Sequence, residues 1–341
     1  MNITFLIGNG FDLAKLLKTS YINFYEYMDE EKKLDVDNIF FNAIRNYIHK
    51  NGDIDAERSD YKDLDWSDFE KALGSYTEIL TNRKEAEKYL NDLIDFREAF
   101  LAYIRLEEDK FEVDQKQAQE YFKDLVQNFY KGIGDKNETT IKNAMNKRDP
   151  RSFVFNFINF NYTKTLSSII EKTTHIQDPN RGYFKASKPI HVHRDIDNGA
   201  FLGVNDKSQI LNTDVFEDDE FADLIKPEMQ EAEFSEIPNE VENKIKQTSI
   251  FFIYGMSLGE TDKIWWQEIG NRLKSYSESY LIINHYIHED ERAKVRRQPS
   301  IKRRKRRETI LEFLNHLDFT DEEKEIIKKR VFVVIGSQHI L

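Results

Sequence analysis

An α/β fold, with a mostly parallel sheet flanked by helices and a large helical insertion after the first strand, is predicted by three observations. Five short runs are apolar, β-branched or aromatic without strict alternation, the pattern of strands covered on both faces. They are Ile3–Ile7, Phe153–Phe160, Ser249–Tyr254, Ser279–Asn284 and Val331–Ile335. Residues 13–148, between the first two runs, carry helical periodicity and no comparable strand. Three of the runs also end in turns rich in Gly, Asn or Ser that lead into helices, the punctuation of β–turn–α units. Together these describe a Rossmann-like α/β core built from residues 1–12 and 149–341, with an inserted helical module at 13–148.

The first run opens "MNITFLIGNGFDLAKLL". It has no basic leader and no small-residue cleavage site, so it reads as a strand and not as a signal peptide. In the following stretch Tyr21, Phe24, Tyr25 and Met28 recur at helical spacing, as do Phe69, Leu73, Tyr76 and Leu80. "WSDFEKAL" offers Ser67 as a helix N-cap with Glu70 three residues later, a capping box. The run "FVFNFINF" is interrupted by Asn156 and Asn159, and "PIHVH" and "AFLGV" read as short added strands.

A chain of 341 residues holding 25 Phe and 16 Tyr has ample material for a core. The net charge of −12 argues against nucleic-acid binding by the protein as a whole, while leaving room for a local basic patch. With no cysteine there are neither disulfides nor thiolate metal sites, in keeping with a reducing cytoplasm. No stretch approaches membrane-spanning length, so no membrane partner is expected.

Chemistry concentrates in the turns. In "FLIGNGFDLA" a buried strand ends at Gly8-Asn9-Gly10, followed by Phe11 and Asp12. Glycine there allows close approach of a ligand to the backbone, and amides at a helix start favour an anion. Leu13 occupies the third-glycine position of G-x-G-x-x-G, so an ordinary dehydrogenase fingerprint is a poor match. A tight turn with Asp12 capping the helix is the alternative. In "INFNYTKTL", Asn159 and Asn161 lie near a strand's C-terminal end, where open α/β sheets bind ligands. An Asx turn with Thr163 as N-cap accounts for the same residues. His191 and His193 of "PIHVHRD" alternate with apolar residues and so share one face of a strand. A neutral imidazole suits general-base work, and a buried, hydrogen-bonded histidine is the plainer reading. No spacing joins this pair to His285 and His288 as metal ligands, and no metal is expected.

The third turn is "YGMSLGETDKIWW". Gly255-Met256-Ser257-Leu258-Gly259 reads as G-x-S-x-G, the nucleophile elbow of serine hydrolases, with Asp262, Asp318, His316 and His339 as conceivable triad partners. The same residues serve equally as a ligand-holding turn, with Ser257 offering a hydroxyl, Asp262 accepting ribose hydroxyls, and Trp265 and Trp266 packing the helix. Spacing does not choose between them.

Two charge blocks remain. Residues 214–242 are acid-rich and read as an exposed loop or helix. Residues 294–307, "KVRRQPSIKRRKRR", are strongly basic. They read either as a solvated helix face pairing with the acidic block or as a site for an anionic partner such as nucleic acid.

Taken together, "IGNGFD", "WSDFE", "FNYTKTL", the histidine motif and "YGMSLGETDKIWW" resemble, in order and spacing, the AbiH family of bacteriophage abortive-infection proteins over nearly the whole chain. The same order is similar to a divergent sirtuin-like NAD-binding layout. That resemblance implies a dinucleotide-facing first turn (Gly8, Asn9, Gly10, Phe11, Asp12), a water- or ribose-orienting Asn161, a histidine base at His193, and ligand contacts at Thr163, Gly255, Ser257 and Asp262. Thr163 stands where the layout has an acid, and Arg194 where it has the glycine of His-Gly, so its bulk bears on whether the pocket is open. Without zinc-binding cysteines a protein deacylase is not implied. What the resemblance implies is an anti-phage effector that binds and hydrolyses NAD or a related nucleotide, NAD+ glycohydrolase-like and cytoplasmic. The alternatives are a serine hydrolase using Ser257 and a non-enzymatic module that captures phage protein or nucleic acid through 294–307. The partner expectations are a small-molecule nucleotide and either a homo-oligomer or a partner defence subunit.

Overall fold

The computed structural model describes residues 1–34, 36–50, 72–149, 153–173, 177–178, 182–183 and 185–336. Among the described residues nine strands run in chain order: β1 Asn2–Ile7, β2 Val154–Asn159, β3 Gln177–Asp178, β4 Gly182–Tyr183, β5 Lys185–Ala186, β6 Ile190–His191, β7 Thr248–Tyr254, β8 Tyr280–His285 and β9 Val331–Ile335. Strands β3 and β4 form a separate antiparallel pair. The other seven make one sheet of order β5-β2-β1-β7-β8-β9, with β6 also on β2, and every pairing in it is parallel. Counting the β5/β6 edge as one position, this is the 3-2-1-4-5-6 order of doubly wound dinucleotide-binding folds, with the direction of winding reversing between β1 and β7.

The five runs expected as strands are all strands, displaced by a residue at most at their starts. Their continuous apolar character follows from burial on both faces. On one face Leu6, Ile158, Phe251 and Ile253 join Val241, Ile245, Trp266, Ile269 and Leu273 from the helices Ile237–Gln247 and Lys263–Ser275. On the other, register puts Phe5 opposite both Phe157 and Phe252. The rings meet at 5.3 Å, stacked, and at 5.7 Å, edge on. Phe129 and Phe122 close this row from the end of the helix Gln115–Asn128. Such aromatic pairs contribute about 0.5–1.5 kcal/mol each beyond their burial.

The chain falls into two compact units: residues 1–14, 112–192 and 236–341, which hold the sheet, and residues 15–111 with 193–235. This division differs from an insertion at 13–148. The amphipathic helices Gln115–Asn128 and Asp135–Asn146 belong with the sheet, and residues 193–235 belong with the helices. The reason is visible in the second unit. Arg97 donates from Nε to the Leu202 carbonyl at 2.8 Å, Arg105 to the Ile196 carbonyl at 3.1 Å, and Asn212 to the Leu80 carbonyl at 2.7 Å. Arg97 and Arg105 of the long helix Arg83–Glu108 satisfy backbone carbonyls of the later segment, and Asn212 of that segment satisfies one ahead of the helix. For the same reason "AFLGV" is not a strand; Val204 makes only an isolated bridge to Ile225.

Within that unit the helix Tyr21–Glu30 buries Tyr21, Phe24 and Met28, as its spacing predicts, and Ser20 caps it by accepting from the Asn23 N–H. Phe24 meets Phe96 and Phe100 edge on at 5.6 and 5.3 Å. Tyr76 falls in a short 3-10 turn, Tyr76–Ile79. The expected capping box at Ser67 and Glu70, with Phe69, and the triad partner His339 lie outside the described residues. The acid-rich block forms a 3-10 turn, Asp218–Asp223, and the helix Lys226–Ala232, then runs into Ile237–Gln247. Its Glu217 and Glu220 pair with Arg83. No described helix is long and apolar enough to cross a membrane.

Candidate functional site

Strands β1, β2 and β7 end level at their carboxyl ends: Ile7 is in register with Asn159 on one side and Tyr254 on the other. The ladder continues one step beyond them. Gly8 N–H donates to the Tyr254 carbonyl at 2.9 Å, and Phe160 N–H to the Ile7 carbonyl at 2.8 Å. Here, at the switch in winding, the turns of interest gather.

The first and third turns pack backbone against backbone. Gly10 N–H donates to the Gly255 carbonyl at 2.8 Å. A Cβ on Gly10 would sit 2.6 Å from the Gly255 Cα, and one on Gly255 would sit 2.6 Å from the Phe11 nitrogen. Gly255 also has φ +67°, a conformation side chains resist. Gly10 and Gly255 are therefore explained by each other. Phe11 N–H donates to the Gly8 carbonyl at 2.9 Å. The amides of Gly8, Gly10 and Phe11 are thus spent on the protein and do not form an anion cradle.

A buried polar contact joins the first and second turns. Asp12, inside the short helix Gly10–Ala14, is 1% exposed, and its Oδ2 accepts from the Thr163 hydroxyl at 2.6 Å. Neither residue is the helix cap its sequence position suggested. Asp12 lies within its helix, and Lys164 occupies the cap before Thr165–Glu171. Asn159 does make the Asx turn: its Oδ1 accepts from Asn161 N–H at 3.2 Å.

Histidine 191, at the end of β6, braces this second turn. Its Nδ1 lies 3.2 Å from the Asn161 carbonyl and its Nε2 lies 3.0 Å from the Ser167 hydroxyl. Nδ1 also lies 3.4 Å from the Asn159 Nδ2 donor; the shorter contact, to a carbonyl that only accepts, is met by a proton on Nδ1, with Ser167 then donating to Nε2. Ser167 was not singled out in the sequence, since nothing local marks a helical serine as a partner for a histidine 24 residues on.

Asn161 itself is 6% exposed, and its buried side-chain Nδ2 has no hydrogen-bond partner among the described residues. Four residues on, Thr165 Oγ1 is buried in the same condition. Unsatisfied buried donors are rare and costly, and each calls for a water, a ligand or a functional reason.

The histidine pair is divided. Strand β6 stops at His191, so His193 does not share its strand face. His193 is 8% exposed, opens the second unit, and its carbonyl accepts from Phe201 N–H at 2.8 Å. Arg194 follows with φ +56°, the left-handed conformation that suits glycine. Its guanidinium lies 4.5 Å over the Phe201 ring, donates to the Asn198 carbonyl at 3.3 Å, and approaches Glu233 at 3.6 Å.

In the third turn Ser257 is exposed and its backbone is outside the left-handed region. A nucleophile elbow needs a sharp, strained turn directly between strand and helix. Here Gly255–Gly259 and the 3-10 turn Glu260–Asp262 separate β7 from the helix Lys263–Ser275. His316 gives its Nε2 proton to the Leu258 carbonyl at 2.6 Å, not to Ser257. Leu258 is buried, and Trp266 donates from Nε1 to the Gly259 carbonyl at 2.9 Å, which fixes the turn. Asp262 sits at the head of the Lys263–Ser275 helix. Tyr254, ending β7, is held by burial above the ordinary range of a phenol, with Tyr286 adding to the effect.

Gly10, Asn161 and Asp262 thus lie at one edge of one sheet. The family model described as "Bacteriophage abortive infection AbiH" matches residues 4–285, which include every one of these turns. No curated relative matches the chain.

Proposed function

The chain belongs to the bacteriophage abortive infection AbiH family, and from that premise we propose that it acts in the cytoplasm as an effector that binds NAD or a related nucleotide and hydrolyses its N-glycosidic bond. The observation that carries this reading is the orphaned Nδ2 of Asn161, buried at the carboxyl edge of a 3-2-1-4-5-6 sheet. That edge, at the reversal of winding, is where such sheets take ligands. An abortive-infection role also suits an activity that depletes a common nucleotide.

The chemistry asks for little from the protein. Cleavage of a nicotinamide–ribose bond sends the bonding pair to the departing ring, and positive charge develops on the ribose. Water then adds to the anomeric carbon and gives up a proton. In our assignment Asn161 donates to the ribose or to the attacking water, and His193 accepts the proton. The serine-hydrolase reading is set aside on the geometry of Ser257. Because the Gly8, Gly10 and Phe11 amides are internally satisfied, the pyrophosphate is assigned no bond to them; the glycines act by letting two turns close.

The test is release of nicotinamide from NAD+ by the purified protein, followed by chromatography. Asn161→Ala and His193→Ala should each lower the rate at least tenfold. Full activity in both variants would remove these assignments.

A further inference from the structure

Nine of the fourteen residues from 294 to 307 are Lys or Arg and none is acidic, in a chain whose net charge is −12. The structure puts them on two consecutive helices, Glu289–Arg297 and Pro299–Asn315. Three of the nine are accounted for internally. Lys305 pairs with Glu291 at 2.9 Å and Arg304 with Glu308 at 3.6 Å. Arg306 donates to the Val333 and Gly132 carbonyls at 3.2 and 2.8 Å. The other six, Lys294, Arg296, Arg297, Lys302, Arg303 and Arg307, make no side-chain hydrogen bond or ion pair among the described residues, and all but Lys302 are exposed. Of the acidic block, Glu217 and Glu220 pair with Arg83, Glu233 with Arg194 and Glu242 with Lys246.

A merely solvated helix face would be built differently. Arg303 and Arg307 stand four apart on one helix, where like charges repel. Lys302 and Arg303 also crowd the opening turns of Pro299–Asn315, whose first turn holds no acid, although helix dipoles favour acids there. Solubility does not demand cations in a protein already far from neutral. Local rules broken without an internal gain mark residues kept for a partner. Four of the six are arginines, whose planar forks match phosphate oxygens in a way lysine does not.

We propose that Arg296, Arg297, Arg303 and Arg307, with Lys294 and Lys302, form a contact surface for the phosphate backbone of nucleic acid. The contact is independent of base sequence, since phosphate contacts position a protein without reading bases. It is separate from the nucleotide site and gives the effector a means of sensing or localising on phage nucleic acid.

The test measures fluorescence anisotropy of two labelled probes, a mixed-sequence duplex DNA and a single-stranded RNA, against full-length protein across a salt series. Binding to at least one probe is expected, weakening steeply with salt. Replacing all four arginines by Gln should weaken binding at least tenfold at low salt. It should also reduce the slope of log K against log[salt] by about 3 to 4, since each phosphate contact contributes about 0.7 to 0.9. Replacing them by Lys should keep most of the slope, and matched thermal melting of all three proteins excludes misfolding. Binding to neither probe at low salt, an unchanged slope in the Gln variant, or binding only to phosphatidylserine vesicles would each overturn the proposal.

Discussion

Thr163 donates its hydroxyl to the Asp12 carboxylate at 2.6 Å across 151 residues of chain, and both side chains are buried. The contact ties the β1 and β2 turns together, so it is expected to contribute to stability as well as to site geometry. Thr163→Val keeps the shape and removes the donor. Leaving a buried acceptor without its donor costs about 1–3 kcal/mol, so urea unfolding should show a loss of about 2 kcal/mol, with Thr163→Ser close to the parent.

Gly255 and Gly10 set the separation of the first and third turns. In Gly255→Ala the new methyl would meet the Phe11 nitrogen at 2.6 Å while the backbone holds φ +67°. Left-handed strain costs about 1–2 kcal/mol and overpacking about 1–3. A loss of about 3 kcal/mol is expected by the same unfolding measurement. A neutral Gly255→Ala would mean that the two turns are not in contact.

Asn161 should separate stability from function. Its unpaired Nδ2 is a cost to the folded state, while its backbone N–H and carbonyl, which bind Asn159 and His191, survive substitution. Asn161→Ala is therefore expected to change unfolding free energy by no more than about 1 kcal/mol, yet to abolish any thermal shift given by NAD+ to the parent protein. A large fall in stability would show the side chain to be a structural element instead.

What the sequence made legible follows from the range of the forces involved. The strands were readable because a run such as "SIFFIY" is buried on both faces and needs no partner to announce it. The extent of the helical unit was not, because periodicity marks the helix Gln115–Asn128 without saying that Phe122 packs on Phe155 of the sheet. "AFLGV" misled for a related reason: the backbone of this β-prone run is satisfied by the side chain of Arg97, over a hundred residues earlier. His191 and Ser167 are likewise joined only through the fold. The imidazole bracing Asn161 is that of His191.

Arg194 holds a glycine-like backbone at φ +56° while its side chain is anchored on Phe201, Asn198 and Glu233. Two substitutions divide these effects. Arg194→Ala loses the cation–π contact and the partly exposed ion pair, each worth up to about 1 kcal/mol, and keeps the strain. Arg194→Gly loses the same contacts and relieves the strain. The glycine variant should exceed the alanine variant by about 1 kcal/mol in unfolding free energy. Equal stabilities would remove the strain from the account.

His285 gives the molecule a predictable response to acid. It ends β8, its Nδ1 lies 2.9 Å from the Thr309 hydroxyl, and Thr309 donates that hydroxyl to the Lys305 carbonyl at 2.9 Å. The imidazole therefore offers the Nδ1 proton. Burial first, and the charge of Lys305 second, lower its pKa from the ordinary histidine value of 6.5, against a weaker opposing pull from Glu291 and Glu308. The unfolded chain then binds the proton more readily than the folded one between the lowered value and 6.5, so stability rises with pH through that window. It is fully present above about pH 6.5 and is lost as pH falls toward the folded value. Melting temperatures recorded from pH 7.5 to 5 should fall for the parent and fall less for His285→Gln. In Lys305→Gln one of the two lowering influences is gone, so the decline should shrink while the Glu291 pairing is lost at every pH. Parallel profiles for the parent and His285→Gln would assign the acid response to other groups.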